Sequence, residues 1–401
     1  MTDQARGRPV VLSALSLLYL LLLASTFNAL GQVIPFMLAD LHMNWGEAGF
    51  GFTLLGVACG LSSLAPAATI RKAGVSTTLW IGAVLLAGGF ALLARMQGLL
   101  AYEAGTVLLG IGFSFCGSVP GVHVISAAFR RRSTALGIYF TVGSLGAVVG
   151  PVSVFLAHQG LGGWRAYWWL CAAASLLIGG FAAWSTRDAA AAPAPAPAPS
   201  ELEAGGWPVR AAFATPQFWV VVAAYTGCLL VNTTVHGLAF QHLMDGGLSA
   251  GAATLWVSAA ATVGAAGAAL AGVVGERMDG RRLTILSLGA LSLTGASLAV
   301  GQGWVALTLF AISMGVGLGF SYVGTALLLQ QYFGRGPALE LYGIMTVVST
   351  VAAIGPVLGG VLHDRTGSFG STFAALAVVD LLLLGAVALM RRPERAALLT
   401  T

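Results

Sequence analysis

Charge is what this chain has least of. Only 8% of its 401 residues are Asp, Glu, Lys or Arg, against 57% hydrophobic, and the mean hydropathy is +0.88. A water-soluble protein covers itself with charge at about a quarter of its positions. No such exterior can be built here, so the surface must face lipid. Cysteine is scarce as well: Cys59, Cys116, Cys171 and Cys228 lie inside apolar runs at no metal-ligand spacing, and read as small core hydrophobes. The formal charge of +5 is no nucleic-acid footprint, because the basic residues fall in short clusters and build no basic face. A phosphate-binding Walker loop is missing too, so ATP-driven work would need another subunit. Neither an enzyme activity nor a cofactor or metal is expected.

What is present is apolar length. A helix needs about 20 apolar residues to cross a bilayer. On that measure six spans come first, at 10–38, 47–70, 76–96, 99–128, 134–158 and 164–186. Six more follow, at 216–242, 249–274, 283–302, 304–332, 338–362 and 369–390. The first is too long for a signal peptide and is kept as an uncleaved span. The fold expected is an all-α membrane protein with twelve transmembrane helices in two pseudo-symmetric six-helix bundles, residues 1–186 and 214–401. Residues 187–213 are the linker, whose alternating Ala and Pro disfavour helix and leave an extended tether. With the N-terminus inside, only Arg95, Arg165 and Arg365 of the 19 basic residues fall outside. That positive-inside bias puts the linker and both termini in the cytoplasm.

A half-protein is written twice. Phe129 and Arg130 to Arg132 stand at a membrane edge, followed by Gly137, Gly143, Gly146, Gly150 and Pro151 along the fifth span. A weaker copy runs from Phe333 and Arg335 through Gly343 to Gly355, Pro356, Gly359 and Gly360 in the eleventh. Small residues at this spacing let helices touch backbone to backbone, and a Gly-Pro pair bends a span. Two readings stay open: a bent helix that helps gate a cavity, or plain helix packing.

Between the eighth and ninth spans stand Gly272, Glu276, Arg277, Asp279, Gly280, Arg281 and Arg282. Glu276 and the arginines can pair with each other and with a helix end. This resembles the signature loop of the major facilitator superfamily, with Asp279 as one extra residue before Gly280. The matching first-half loop, through Arg71, Lys72 and Gly74, lacks the acidic residue. The junctions Phe129 to Gly146 and Tyr332 to Gly343, with Asp364, Arg365 and Gly367 after Pro356, resemble the monocarboxylate and oxalate/formate transporter branch. The resemblance implies two bundles around one midplane site that opens to alternate sides, lined by the first, fourth, seventh and tenth spans. It implies a monocarboxylate-like organic anion as substrate, moved with a proton or in exchange, an inner-membrane location and a monomer.

Those four spans carry the polar residues that are expensive inside a membrane. They are Asn28, with Gln32 a turn further, then His123, then Asn232 and His236 four apart on one helix face, then Tyr322. Each either meets substrate or bonds a neighbouring helix. Phe27, Phe115 and Phe320 would be the apolar walls. His123 and His236 are suited to carry a proton. Asp380, at the centre of the twelfth span, is either an acid bonded to a neighbouring helix or a further proton site. Trp164, Tyr167, Trp168 and Trp169 read as an interfacial aromatic belt. No charge lies in the eighth span and no lysine in the eleventh, and Thr106 stands where drug/proton antiporters carry an arginine. An unpaired carboxylate at the midplane would be costly. Either neutral donors and a proton serve it, or the cargo is a drug or other apolar metabolite being exported. A non-transporting receptor or assembly factor is the remaining reading.

Overall fold

The computed structural model describes residues 3–129, 132–187, 207–275 and 277–393. The described residues form helices and no strand. In the first half these are α1 (Asp3–Ser25), α2 (Phe27–Leu41), α3 (Trp45–Ser62) and α4 (Ala65–Arg95). Then come α5 (Leu99–Cys116), α6 (Ser118–Ala128), α7 (Arg132–Gly160) and α8 (Trp164–Ser185). A short α9 (Val209–Phe213) precedes α10 (Pro216–Asp245), α11 (Ala250–Gly275), α12 (Gly280–Val300) and α13 (Trp304–Phe333). Last are α14 (Arg335–Val348), a 3₁₀ stretch Ser349–Ile354, α15 (Gly355–Thr366) and α16 (Gly370–Leu389).

Eleven of the twelve expected spans are long and apolar enough to cross a membrane among the described residues, so this is a multi-pass membrane protein. The other, expected at 47–70, is the 18-residue α3, whose apolar run is diluted by Glu47 and five glycines. Its expected tail belongs to α4, which bends at Gly74, held at φ 83°, where a side chain would be strained. The third span, α4, packs on α5 and α8; the ninth, α12, packs on α13 and α16. The same partners recur six spans apart, which is the sequence duplication expressed in packing.

Three spans are broken, and side chains donate to carbonyls around each break. At the α1–α2 break, Ser25 Oγ, Thr26 Oγ1 and Asn28 Nδ2 donate to the carbonyls of Leu21, Leu22 and Leu23 at 2.7, 2.6 and 2.6 Å. At the α5–α6 break, Tyr139 Oη donates to the Gly117 carbonyl at 3.2 Å. In the eleventh span, Thr233 Oγ1 donates to the Ala352 carbonyl at 2.9 Å within the 3₁₀ stretch. That irregular turn ends where Gly355 and Pro356 begin, whereas α7 continues as one helix through Pro151. The α7 glycines lie against α1: a Cβ would fall 2.0 Å from the Tyr19 ring at Gly143, and 2.4 Å from the Leu20 and Ala24 carbonyl oxygens at Gly146 and Gly150. Gly150→Val is therefore expected to cost about 1–3 kcal/mol of overpacking and lower the melting temperature. Gly137→Val should melt like the parent, since nothing lies within 4 Å of a Cβ there.

The chain packs as two compact units. One holds residues 1–196, 236–258 and 356–367; the other holds 197–235, 259–355 and 368–401. The divisions fall inside α10 and α11 and at the start of α15. The sixth-span aromatics are mostly core: Trp168, Trp164 and Tyr167 are buried, and Trp169 alone is exposed as a belt residue would be. Trp164 is held inside because its Nε1 donates to Asp40 Oδ2 at 2.8 Å, and Trp168 because it stacks on Phe90.

Candidate functional site

The first unit brings together residues more than three hundred positions apart, and the cause is the start of α3. Asn44 is the N-cap: its side-chain oxygen accepts from the Glu47 N–H at 2.7 Å, and Glu47 Oε2 accepts from the Asn44 N–H at 2.9 Å. This reciprocal box leaves the N–H groups of Trp45 and Gly46 pointing off the helix end. Asp364, near the end of α15, takes both: Oδ1 accepts from Trp45 N–H at 3.0 Å and Oδ2 from Gly46 N–H at 2.7 Å. A carboxylate on two backbone donors at a helix N-terminus gains charge-assisted hydrogen bonds and the favourable end of the dipole.

Glycine lets the backbones approach closely enough for that contact. A Cβ on Gly360 would fall 2.1 Å from the Trp45 carbonyl oxygen, one on Gly49 2.3 Å from that of Pro356, and one on Gly31 1.8 Å from that of His236. Around the same end the Trp45 ring meets the His363 imidazole edge-on at 5.6 Å. His363 Nε2 lies 3.7 Å from Asp245 Oδ2, and Gln241 Nε2 donates to Asp245 Oδ1 at 2.6 Å. Thus α2 lies against α10 at His236, and α3 lies along α15 from Pro356 to Asp364; these contacts are called the seam below.

The expected substrate residues divide between the units. In the first, Asn28 is buried with its Nδ2 spent on the helix break, and Phe27 meets Phe52 and Phe113 at 5.8 and 5.4 Å. Phe115 is buried, while His123 on α6 and His236 on α10 are half-buried. In the second unit Asn232 is half-buried, and Tyr322 is 39% exposed with its ring 6.1 Å from that of Tyr225. Phe320 sits in a small apolar cluster with Ala271 and Leu283. Asp380 is fully buried on α16, neither carboxyl oxygen has a hydrogen-bond partner among the described residues, and Oδ1 would lie 2.7 Å from a Cβ on Gly227.

Of the expected gating residues, Glu276 lies outside the described residues and Arg277 is exposed. Arg281 donates to the carbonyls of Val387, at 3.0 Å, and Ala388, fastening α12 to the C-terminal end of α16. Gly280 N–H donates to Gln331 Oε1 at 3.0 Å. Gly343 has open space around it, and Gly355 lies against Thr234. Asp364 stands in the motif after Pro356, which by itself marks no role for it. The spacing of Asn44 and Glu47 was the available signal, since it marks a helix start whose first donors need a partner.

The profile of the Major Facilitator Superfamily matches residues 15–354. An uncharacterized transporter of Bacillus subtilis (strain 168), YycB, is 27% identical over 382 residues, covering 91% of this chain and 89% of its own. The structure of the nucleoside transporter NupG superposes with a TM-score of 0.76 at 16% identity, covering 98% of this chain and all of that one. A bacterial homolog of the human lysosomal transporter Spinster, in an inward-facing and unoccupied conformation, gives 0.74 at 16% identity over 97% and 96% of the two chains. The two structures share the fold. With the profile covering most of the chain, this protein belongs to the major facilitator superfamily of membrane transporters.

Proposed function

We propose that this transporter is a secondary carrier of a small, monocarboxylate-like organic acid, working by alternating access with a proton or in exchange. The Asp364 seam carries the reading. One charged side chain joins α15 to α3 by capping a helix, and a contact of that kind can be made and released as helices move. In the N-inside orientation favoured by the basic residues, both termini are cytoplasmic and the seam faces outside, in a cell inner membrane. His123, Asn232, His236 and Tyr322 are the neutral hydrogen-bonding groups offered to the cargo, with Asn28 at the broken first span and Phe27, Phe115 and Phe320 as apolar support. His123, His236 or Asp380 would carry the proton. Gly143, Gly150 and Pro151 of the fifth span, Gly137 and Gly343 at its end and its counterpart's, Gly355 and Pro356, and the loop residues Glu276, Arg277 and Arg281 would guide the movement.

Proteoliposome uptake of labelled lactate, pyruvate, formate and oxalate, with and without a pH gradient, tests this. Gradient-dependent uptake of one of them is expected. The rival is export of drugs or other apolar metabolites, favoured by an α11 with no charged residue. Extrusion of a lipophilic dye, with all four acids left outside, would decide for that rival.

A further inference from the structure

Gln32 is 2% exposed, and among the described residues neither its amide oxygen nor its amide nitrogen has a hydrogen-bond partner. A buried carboxamide with both polar groups unmet is among the more expensive things a helix can hold, and it calls for an explanation. Its own helix gives none: Leu30, Val33 and Ile34 around it are buried and apolar. Asn28, one turn back, is committed to the Leu23 carbonyl. The neighbouring Gly31 is pressed onto the His236 carbonyl, so Gln32 stands at the level where the seam is tightest. Methionine would fill the same length without unmet groups, yet the chain has an amide there.

We infer that Gln32 contacts ligand and is hidden in this structure by the closed seam. When the Asp364 end parts, α2 loses its cover and the carboxamide is released. One edge of it presents an acceptor oxygen and a donor N–H side by side. Its complement is a ligand edge that also carries one donor beside one acceptor, as an undissociated carboxylic acid or a lactam does. A carboxylate anion offers acceptors alone and fits only half of it. This rests on the transport reading above, and narrows its cargo to the neutral form of an acid or to a lactam-bearing molecule.

Two measurements test it. In the first, Gln32→Cys and Met37→Cys are made separately in a chain whose four native cysteines are alanine, and labelled with an impermeant maleimide. Adding Asp364→Ala is expected to raise labelling at both positions roughly tenfold. A gain at Met37→Cys without one at Gln32→Cys overturns the inference and leaves the seam as a gate. No gain at either takes both down. In the second, thermal melting is followed with uracil, and with lactate at acidic and neutral pH. Gln32→Met alone should melt no lower than the parent; a lower value would make the amide a structural group and sink the idea. Uracil or acidic lactate should raise the melting temperature of the parent and leave Gln32→Met unmoved. A shift from uracil points to the lactam, and one from lactate only at acidic pH to the undissociated acid. A shift that survives in Gln32→Met, or none in the parent from either compound, overturns the ligand role.

Discussion

Asp364→Asn is expected to part α15 from the start of α3. The asparagine keeps one oxygen for Gly46 or Trp45 but turns an NH₂ toward the other N–H, so a donor faces a donor. It also removes the charge that meets the helix dipole. Hydrogen bonds to charged groups contribute about 1.5–3 kcal/mol net, which is tenfold or more in an equilibrium. The closed seam should lose at least that much population. A cysteine at Met37, buried at 1% exposure on α2, reports it through maleimide labelling. Unchanged labelling in Asp364→Asn would mean that the cap holds nothing shut. Asp364→Glu, with the charge kept and one methylene added, should fall between.

The second large effect is expected from Gly31→Val. A Cβ there lies 1.8 Å from the His236 carbonyl oxygen and 2.9 Å from its carbon. Both atoms are backbone, so no rotamer change relieves the clash, and only displacement of α10 can. The seam then cannot close, while α2 itself is free to form. Uptake of whichever compound the parent carries should drop to background, and Met37→Cys labelling should be maximal. Because the valine already holds the end open, adding Asp364→Asn should change little further. That failure of additivity separates a shared gate from two unrelated lesions. A Gly31→Val protein that transports normally would refute the seam as a moving part. Gly49→Ala, 2.3 Å from the Pro356 carbonyl oxygen, should behave in the same direction.

Much of the fold could be read from the residues, because a bilayer demands apolar length and the chain supplies it in countable pieces. The span that escapes the length-and-hydropathy measure, α3, is the one that has traded apolar residues for Glu47 and glycine, and those are the residues that form its cap and its close contacts. The aromatic cluster at 164–169 was legible as aromatic and not as buried, since Trp168 differs from Trp169 only by its side of a helix. The seam was hidden for another reason. Among the described residues Asp364 makes no ion pair that a charge pattern could reveal; it binds the main chain of residues 318 and 319 positions away. Glycines 31, 49 and 360 look like any others in a chain with 55 of them. Gln32 was visible as an amide in a span, but that it goes unmet is a property of the packing alone.

Because the partner of Asp364 is peptide backbone, this lock has a keyhole that mutation can scarcely erase. Charge reversal at 364 would set a cation at a helix N-terminus and leave the Trp45 and Gly46 N–H groups without their acceptor, which no change of a side chain opposite restores. Suppressor genetics on Asp364 variants should therefore yield mainly true revertants, or changes that retune the equilibrium elsewhere. Proline at position 45 or 46 is the single kind of substitution that would delete a donor N–H from the other side.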